Sequence, residues 1–128
     1  MKNAVIYTRN ASSDEQAINA QLEISREYAV TNGYTVIGEF SDNGYSGMTI
    51  NRPAFVAMNN EREKWTTLIV YSIDKLTRNR SDFYKYVKTL HEEGKEIISM
   101  TESTDNMFSI LESLQKRYGA SKKGVYRE

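Results

Sequence analysis

The chain has 128 residues, of which 39% are hydrophobic and 27% charged, a composition that suits one globular domain and excludes a disordered chain. Seventeen basic and seventeen acidic residues cancel, so any contact with nucleic acid has to come from a local basic patch. The lack of cysteine excludes a disulfide scaffold, a thiolate nucleophile and a cysteine-ligated metal; with no apolar run near the roughly 20 residues of a membrane span, a cytoplasmic protein is expected.

Apolar runs and helical periodicities alternate along the chain. Short runs rich in β-branched residues predict strands, and apolar residues spaced three or four apart predict helices. The expected elements are a strand at 4–7, a helix at 14–31, a strand at 34–40, a helix at 51–64, a strand at 66–72, a helix at 81–93, a strand at 96–100 and a helix at 105–118. This alternation predicts an α/β fold, a mostly parallel sheet of four or five strands with helices on both faces.

The first two helices carry signals for their starts. Ser12 and Ser13 each precede a Glu or Gln by three residues, which is the capping-box pattern. Asn51 is the expected cap of the second helix, with Pro53 in its first turn. Between these helices, residues 41–47 are rich in Gly, Asn and Ser, which is typical of a mobile loop.

The most charged stretch follows the third predicted strand. Asp74, Lys75 and Arg78 lie just beyond that strand, as Arg9 and Ser12 lie beyond the first. In open α/β sheets ligands bind at the carboxyl ends of the strands, so these side chains can converge on one edge. A carboxylate followed by cations suits a site that holds a phosphate and keeps an acid near it.

A cluster of this kind points to phosphoryl transfer without a metal. A serine hydroxyl is a weak nucleophile unless the developing charge is stabilised, and Arg52, after the flexible loop, can reach the same edge as Arg9. There is no Walker loop, no dense carboxylate cluster and one histidine, His91, so a metal site is disfavoured. The plainer alternatives are that Ser12 only caps a helix and that Asp74 and Lys75 form a surface ion pair.

Four blocks of the sequence resemble the N-terminal catalytic domain of the serine recombinases, the family of resolvases, invertases and large serine integrases. The blocks stand in the family's order across residues 1–105, and the large-integrase branch is the most similar. They are Ile6-Tyr7-Thr8-Arg9 with Ser12-Ser13-Asp14-Glu15-Gln16 and Gln21, then Asp42-Asn43-Gly44-Tyr45-Ser46-Gly47, then Asn51-Arg52-Pro53-Ala54-Phe55, and finally Val70-Tyr71-Ser72-Ile73-Asp74-Lys75-Leu76-Thr77-Arg78-Asn79.

The resemblance implies a catalytic domain at 1–118, followed at 119–128 by a basic tail or the start of a truncated interdomain segment. Ser12 would attack a DNA phosphodiester, forming a 5′-phosphoserine link and freeing a 3′-hydroxyl. Ser12 is preferred to Ser13 because it keeps the family's four-residue distance to Gln16. The other roles implied are phosphate binding by Arg9, Arg52 and Arg78, protonation of the leaving oxygen or orientation of the arginines by Asp74, an arginine-like role for Lys75, and support of the site by Tyr7, Gln16, Gln21 and Asp42.

The resemblance also implies the partners. Family members use no metal or nucleotide cofactor and cut double-stranded DNA as a synaptic tetramer assembled from dimers, so no membrane and no small-molecule substrate is expected. The alternative is a degenerate, non-catalytic recombinase-like domain that pairs with itself or with an active recombinase. The extra residue between Arg9 and Ser12, the lysine at 75 and the break at 119–124 favour that alternative; a metal-free phosphatase or nuclease is a third possibility.

Overall fold

The computed structural model describes residues 2–114 and 116, in which strands alternate with helices as the sequence predicts. The elements in chain order are β1 (Lys2–Asn10), α1 (Glu15–Thr31), β2 (Tyr34–Asn43), α2 (Pro53–Asn59), a 3-10 turn (Arg62–Lys64), β3 (Thr67–Val70), α3 (Ile73–Leu76), α4 (Arg80–Glu92), β4 (Glu96–Ser99) and α5 (Met107–Leu114). The predicted helix end at residue 118 and the tail at 119–128 lie outside the described residues. No helix in the described part is long and apolar enough to cross a bilayer.

Four parallel strands form a sheet in the order β2-β1-β3-β4. Strand β1 is paired on both sides, with Ile6 opposite Glu39 of β2 and Ile69 of β3. Strand β4 lies on the other side of β3, where Leu68 is opposite Ile97. The predicted α/β fold is confirmed, with four strands. Because the strands run the same way, their carboxyl ends share one edge, and the end of β1 lies in the interior of that edge.

Alternate residues of β1 are buried on opposite faces of the sheet, as the two-residue period of a strand requires. On the face covered by α1 the core consists of Ala4, Ile6, Ile18, Leu22, Ala29 and Ile69. On the face covered by α2 and α4 it includes Val5, Tyr7, Phe55, Met58, Trp65, Leu68, Val70, Tyr86, Val87 and Leu90. Helices therefore cover both faces, as predicted.

Helix α1 is capped by Asp14, so the prediction of Ser12 or Ser13 as its cap was wrong. The Asp14 carboxylate accepts hydrogen bonds from the N–H groups of Gln16 (3.1 Å) and Ala17 (3.2 Å). A carboxylate is favoured here because it satisfies two free N–H groups and complements the positive end of the helix dipole. The Ser12 hydroxyl is therefore not used for capping.

Helix α2 is shorter than expected and begins differently. Its N-cap residue is Arg52 and not the predicted Asn51, and the helix ends before the separate 3-10 turn that reaches residue 64. Arg52 provides no side-chain cap. The free N–H groups of the first turn donate instead to Asp42 at the end of β2. A carboxylate from the sheet edge thus fixes the start of the helix.

Candidate active site

Arg9 leaves the end of β1 and is almost fully buried, with 3% of its surface exposed. Its guanidinium donates from Nε to the Lys75 carbonyl (3.0 Å), from Nη2 to the Asp74 carbonyl (2.7 Å) and from Nη1 to the Tyr45 carbonyl (2.8 Å). Gln21 holds its main chain, donating from Nε2 to the Arg9 carbonyl and accepting from the Arg9 N–H. Arg9 therefore joins β1 to α3 and to the loop after β2.

Arg52 is buried even more completely, at 1% exposed. It donates from Nε to the Thr49 carbonyl (2.7 Å), from Nη1 to the Tyr7 hydroxyl (2.7 Å) and from Nη2 to the Leu76 carbonyl. Its guanidinium also lies over the Phe55 ring, 5.0 Å from the ring centre. Like Arg9, it binds main-chain oxygens of α3.

Tyr7 connects Arg52 to Asp42. The Tyr7 hydroxyl donates to Asp42 (2.7 Å) while it accepts from Arg52. Burial raises the pKa of the Tyr7 phenol well above its ordinary value; the Arg52 charge opposes this and the Asp42 carboxylate adds to it. The phenol is therefore neutral, and it relays a hydrogen bond between a buried cation and an acid that also holds α2.

Gly47 is buried between Arg9 and Arg78. A Cβ atom placed on Gly47 would lie 2.7 Å from Arg9 Nη2 and 2.8 Å from Arg78 Cγ, so the two side chains approach from either side of this point. The Gly47 carbonyl accepts from the Arg78 N–H (2.6 Å). Only a residue without a side chain allows this approach.

Among the described residues, no carboxylate forms a salt bridge with Arg9, Arg52 or Arg78. Burial, and next the charge of Arg52, lower the pKa of the Arg9 guanidinium; Arg78 contributes in the same direction. Burying an unpaired charge is costly, and the partners of the two buried guanidiniums, those of Arg9 and Arg52, are carbonyl oxygens and the Tyr7 hydroxyl. Within residues 2–114 and 116, the salt bridges lie elsewhere on the surface, at Lys2–Glu96, Arg26–Glu39 and Arg62–Glu93. This edge of the sheet is therefore suited to an anion.

Helix α3, which was not predicted, carries Asp74 and Lys75. Asp74 is exposed, and its carboxylate accepts from the Ser72 hydroxyl. Lys75 is half-buried, and its carbonyl accepts from Arg9. Both residues offer main-chain oxygens to Arg9, and the negative charge of the Asp74 side chain also acts to raise the pKa of the Arg9 guanidinium. Arg78 follows α3 and is exposed.

Ser12 is exposed on the short loop between β1 and α1. The Asn10 side chain donates to the Ser12 carbonyl (2.7 Å) and, at 3.4 Å, to its hydroxyl. The Asn10 carbonyl accepts from the N–H groups of Gly44 (2.8 Å) and Tyr45 (3.1 Å), and the Tyr45 carbonyl binds Arg9. The serine loop is thereby held against the loop that covers Arg9. Among the described residues, no hydrogen bond joins the Ser12 hydroxyl to an arginine or to Asp74.

The structure joins five of the ten predicted site residues through their side chains and leaves the side chains of the other five more exposed around them. Arg9, Arg52, Tyr7, Gln21 and Asp42 form one hydrogen-bonded network that includes the α3 main chain. Gln16 is exposed on the first turn of α1, and Ser12 is exposed on its loop. Sequence reasoning missed the carbonyl acceptors and Gly47, because a main-chain oxygen has no residue-type signal. No group of three or more potential metal ligands occurs in the part of the chain that the structure describes.

Comparisons with known proteins agree with this architecture. The family model described as resolvase, N terminal domain, matches residues 4–121. The Transposon Tn21 resolvase of Escherichia coli is 29% identical over an alignment of 102 residues, and the match covers 75% of this chain and 54% of that protein. The chain thus spans about half the length of this curated relative.

Solved structures show the same fold. The N-terminal catalytic domain of TP901-1 integrase superposes with a TM-score of 0.85 at 26% identity, covering 98% of this chain and all (100%) of that one. A resolvase family site-specific recombinase from Streptococcus pneumoniae superposes with a TM-score of 0.74 at 20% identity, covering 96% of this chain and 91% of its own. With four parallel strands, the arginine network at their carboxyl edge and a family match over nearly the whole chain, the protein belongs to the serine recombinases, as a resolvase-type N-terminal domain.

Proposed function

We propose that this chain catalyses site-specific cleavage and rejoining of DNA, with Ser12 as the nucleophile. The observation that carries the proposal is the pair of buried guanidiniums, Arg9 and Arg52, which bind carbonyl and hydroxyl oxygens and have no paired carboxylate among residues 2–114 and 116. Such a preorganised positive site stabilises the negative charge that develops at a phosphate during displacement. Membership of the serine recombinases supports DNA recombination as the class of reaction.

The reaction is an exchange of phosphoesters. The Ser12 Oγ attacks the phosphorus of a DNA phosphodiester and loses its proton to solvent, while the bond from phosphorus to the 3′-oxygen breaks. A 5′-phosphoserine bond forms, and the leaving 3′-oxygen takes a proton that Asp74 has taken up from solvent. Rejoining is the reverse reaction with another 3′-hydroxyl. Because one phosphoester replaces another, no nucleotide is needed to drive it.

The arginines have different parts in this proposal. Arg78 is exposed and lies against Gly47, so it can contact the non-bridging phosphate oxygens directly. Arg9 and Arg52 supply a fixed positive field and, by binding its carbonyls, hold α3 with Asp74 at the edge of the site. Lys75 adds a further cation at the rim, as a point charge without the two-pronged grip of arginine.

Double-stranded DNA is the proposed substrate, and self-association into dimers and a synaptic tetramer is the proposed assembly. Domain boundaries at 1–118 and 119–128, and the absence of a cofactor, are part of the same proposal. The chain has balanced charge, so affinity for DNA has to come from this cationic edge together with a DNA-recognition module.

A covalent adduct tests the proposal. The full chain, fused to a zinc-finger module of known specificity, is incubated with DNA in which a randomised spacer separates two zinc-finger sites and a nick traps the cleaved product. We expect an SDS-resistant adduct that yields phosphoserine on hydrolysis. It should be absent in Ser12→Ala and retained in Ser13→Ala, because Ser13 is the matched neighbouring hydroxyl.

Two results would refute the proposal. One is undiminished adduct in Ser12→Ala; the other is no adduct from the wild type when a known active serine recombinase domain, in the same fusion, forms one. A non-catalytic recombinase-like domain is the second candidate, because no hydrogen bond among the described residues connects Ser12 with the arginines. That candidate predicts no adduct from the wild type or from Lys75→Arg, and self-association that Ser12→Ala leaves unchanged.

A further inference from the structure

A carboxylate from beyond β4 holds the first turn of α3. Glu102 Oε1 accepts from the Ile73 N–H (2.9 Å), from the Ser99 hydroxyl (2.6 Å) and from the Thr101 hydroxyl (3.2 Å). Hydrogen bonds to an ionised acceptor are the stronger kind, and three donors on one oxygen fix its position. Glu102 thus connects the end of β4 to the start of α3.

Helix α3 needs an external partner because it has only four residues. Its N-cap residue, Ser72, makes no capping hydrogen bond; the Ser72 hydroxyl donates instead to the Asp74 carboxylate. The free N–H of Ile73 is satisfied by Glu102 in place of a local cap. This arrangement releases the Ser72 side chain to hold Asp74.

The bend that aims Glu102 at α3 is itself fixed. The Ser99 hydroxyl, on a residue that is 8% exposed, accepts from the N–H groups of Thr101 and Glu102 at 3.3 Å each. The side chain therefore projects from an ordered turn, although Glu102 itself is exposed. The contact between Glu102 and α3 therefore has a fixed backbone behind it.

The position of α3 affects both the arginine network and the residues proposed to act on the phosphate. Three consecutive carbonyls of α3, from Asp74 to Leu76, accept from Arg9 and Arg52, so a displaced α3 displaces the arginine network. Glu102 also lines a cavity of about 370 Å³ together with Asp74 and Arg78. The carboxylate thus stands beside the groups that are proposed to act on the phosphate.

We infer that Glu102 is a positioning residue for DNA cleavage, which fixes the first turn of α3 and through it the Asp74 carboxyl that protonates the leaving oxygen. The inference rests on the proposed function. The hydrogen bond from the Ile73 N–H to Glu102, which is the structural part of the inference, can be tested without an activity assay.

The first experiment measures amide hydrogen exchange of Ile73 in the full chain, with Val70 in β3 as the internal reference. Glu102→Ala should speed exchange at Ile73 by about tenfold or more, since a charge-assisted hydrogen bond is lost. Glu102→Gln keeps an acceptor oxygen at the same reach and should stay within about threefold of the wild type. Equal exchange in the wild type and Glu102→Ala would refute the contact, whatever the activity.

The second experiment follows adduct formation in the zinc-finger fusion. Glu102→Ala should lower the rate by about tenfold while DNA affinity is unchanged, and Glu102→Gln should recover most of the rate. Glu27→Ala, at an exposed glutamate of α1 on the opposite face of the sheet, should match the wild type.

A sulfur substitution separates positioning of the acid from general damage. With sulfur in place of the 3′-oxygen, the leaving thiolate needs no proton, so the defects of Glu102→Ala and Asp74→Ala should both shrink. An equal loss on the oxygen and sulfur substrates would show that Glu102 does not act through Asp74 and would overturn the inference. Absence of any wild-type adduct would overturn it together with the proposed function, and faster Ile73 exchange alone would then establish only the structural contact.

Discussion

Replacement of Gly47 by alanine tests whether the close approach of Arg9 and Arg78 matters for cleavage. The added Cβ would lie 2.7 Å from Arg9 Nη2, and 2.8 and 2.9 Å from Arg78 Cγ and Cδ. Because these distances are shorter than van der Waals contact, at least one side chain must move by several tenths of an ångström. The backbone of Gly47 is not in the left-handed region, so the change acts through contact and not through backbone strain.

The size of the effect on the cleavage rate follows from the hydrogen bond that Arg9 would lose. Nη2 donates to the Asp74 carbonyl at 2.7 Å, and a hydrogen bond from a charged donor contributes about 1.5–3 kcal/mol. If that contribution is lost in the transition state, the cleavage rate falls by roughly tenfold to a hundredfold. The assay is the rate of adduct formation with saturating DNA, compared between wild type and Gly47→Ala.

Gly33→Ala is the matched control. Gly33 has a φ of 79° and nothing within 4 Å of the added Cβ, so alanine there costs about 1–2 kcal/mol of stability without touching the site. Gly33→Ala should therefore unfold at lower urea concentration yet cleave at the wild-type rate. A folded Gly47→Ala that cleaves at the wild-type rate would refute the reasoning, as would an equal loss of activity in Gly33→Ala.

Three further predictions concern stability and are measured by urea unfolding. Tyr7→Phe should lower the free energy of unfolding by about 1–3 kcal/mol, because it removes both hydrogen bonds of a buried hydroxyl; no loss would mean that the bridge is not formed. Asp14→Ala should lower the free energy of unfolding by about 1 kcal/mol, and Ser13→Ala should lower it much less. The reverse order would show that a serine, and not Asp14, caps α1. The hydrogen bond from Arg62 lowers the pKa of Glu93. The ion pair therefore stabilises the fold at pH values above the ordinary glutamate pKa, and this stabilisation is lost as the pH falls through the lowered pKa of Glu93. The free energy of unfolding of the wild type should therefore exceed that of Glu93→Gln by at most about 1 kcal/mol at neutral pH, and the two values should become equal in acid. A difference that persists in acid would show that the ion pair is not its cause.

The sheet and its functional edge could be predicted because they depend on periodicity and on the direction of the strands. Runs such as Ala4 to Tyr7 are apolar on both faces, as a central parallel strand requires, and the charges follow where those runs end. Arg9 and the group of Asp74, Lys75 and Arg78 could be assigned to one edge on that basis.

The remainder depends on contacts that residue types do not reveal. Arg52 looks like an exposed cation at a helix start, yet it is buried, since Tyr7 and Phe55 pack against its guanidinium and carbonyls accept its N–H groups. Helix α3 is one turn long, too short for any helical period to show in the sequence. Gly47 stands in a segment that reads as an open loop, and only the tertiary structure shows it to be enclosed by two arginines.

The central place of β1 has a consequence for synthesis on the ribosome. This strand is made before both of its neighbours, and the second of them, β3, is complete only at Val70. At 5–20 residues per second, the apolar segment from Ala4 to Tyr7 waits roughly 3–12 seconds for its full enclosure. During that interval the nascent chain exposes an apolar, aggregation-prone strand. A chaperone that binds nascent chains on the ribosome should therefore raise the yield of folded protein more than one that acts after release.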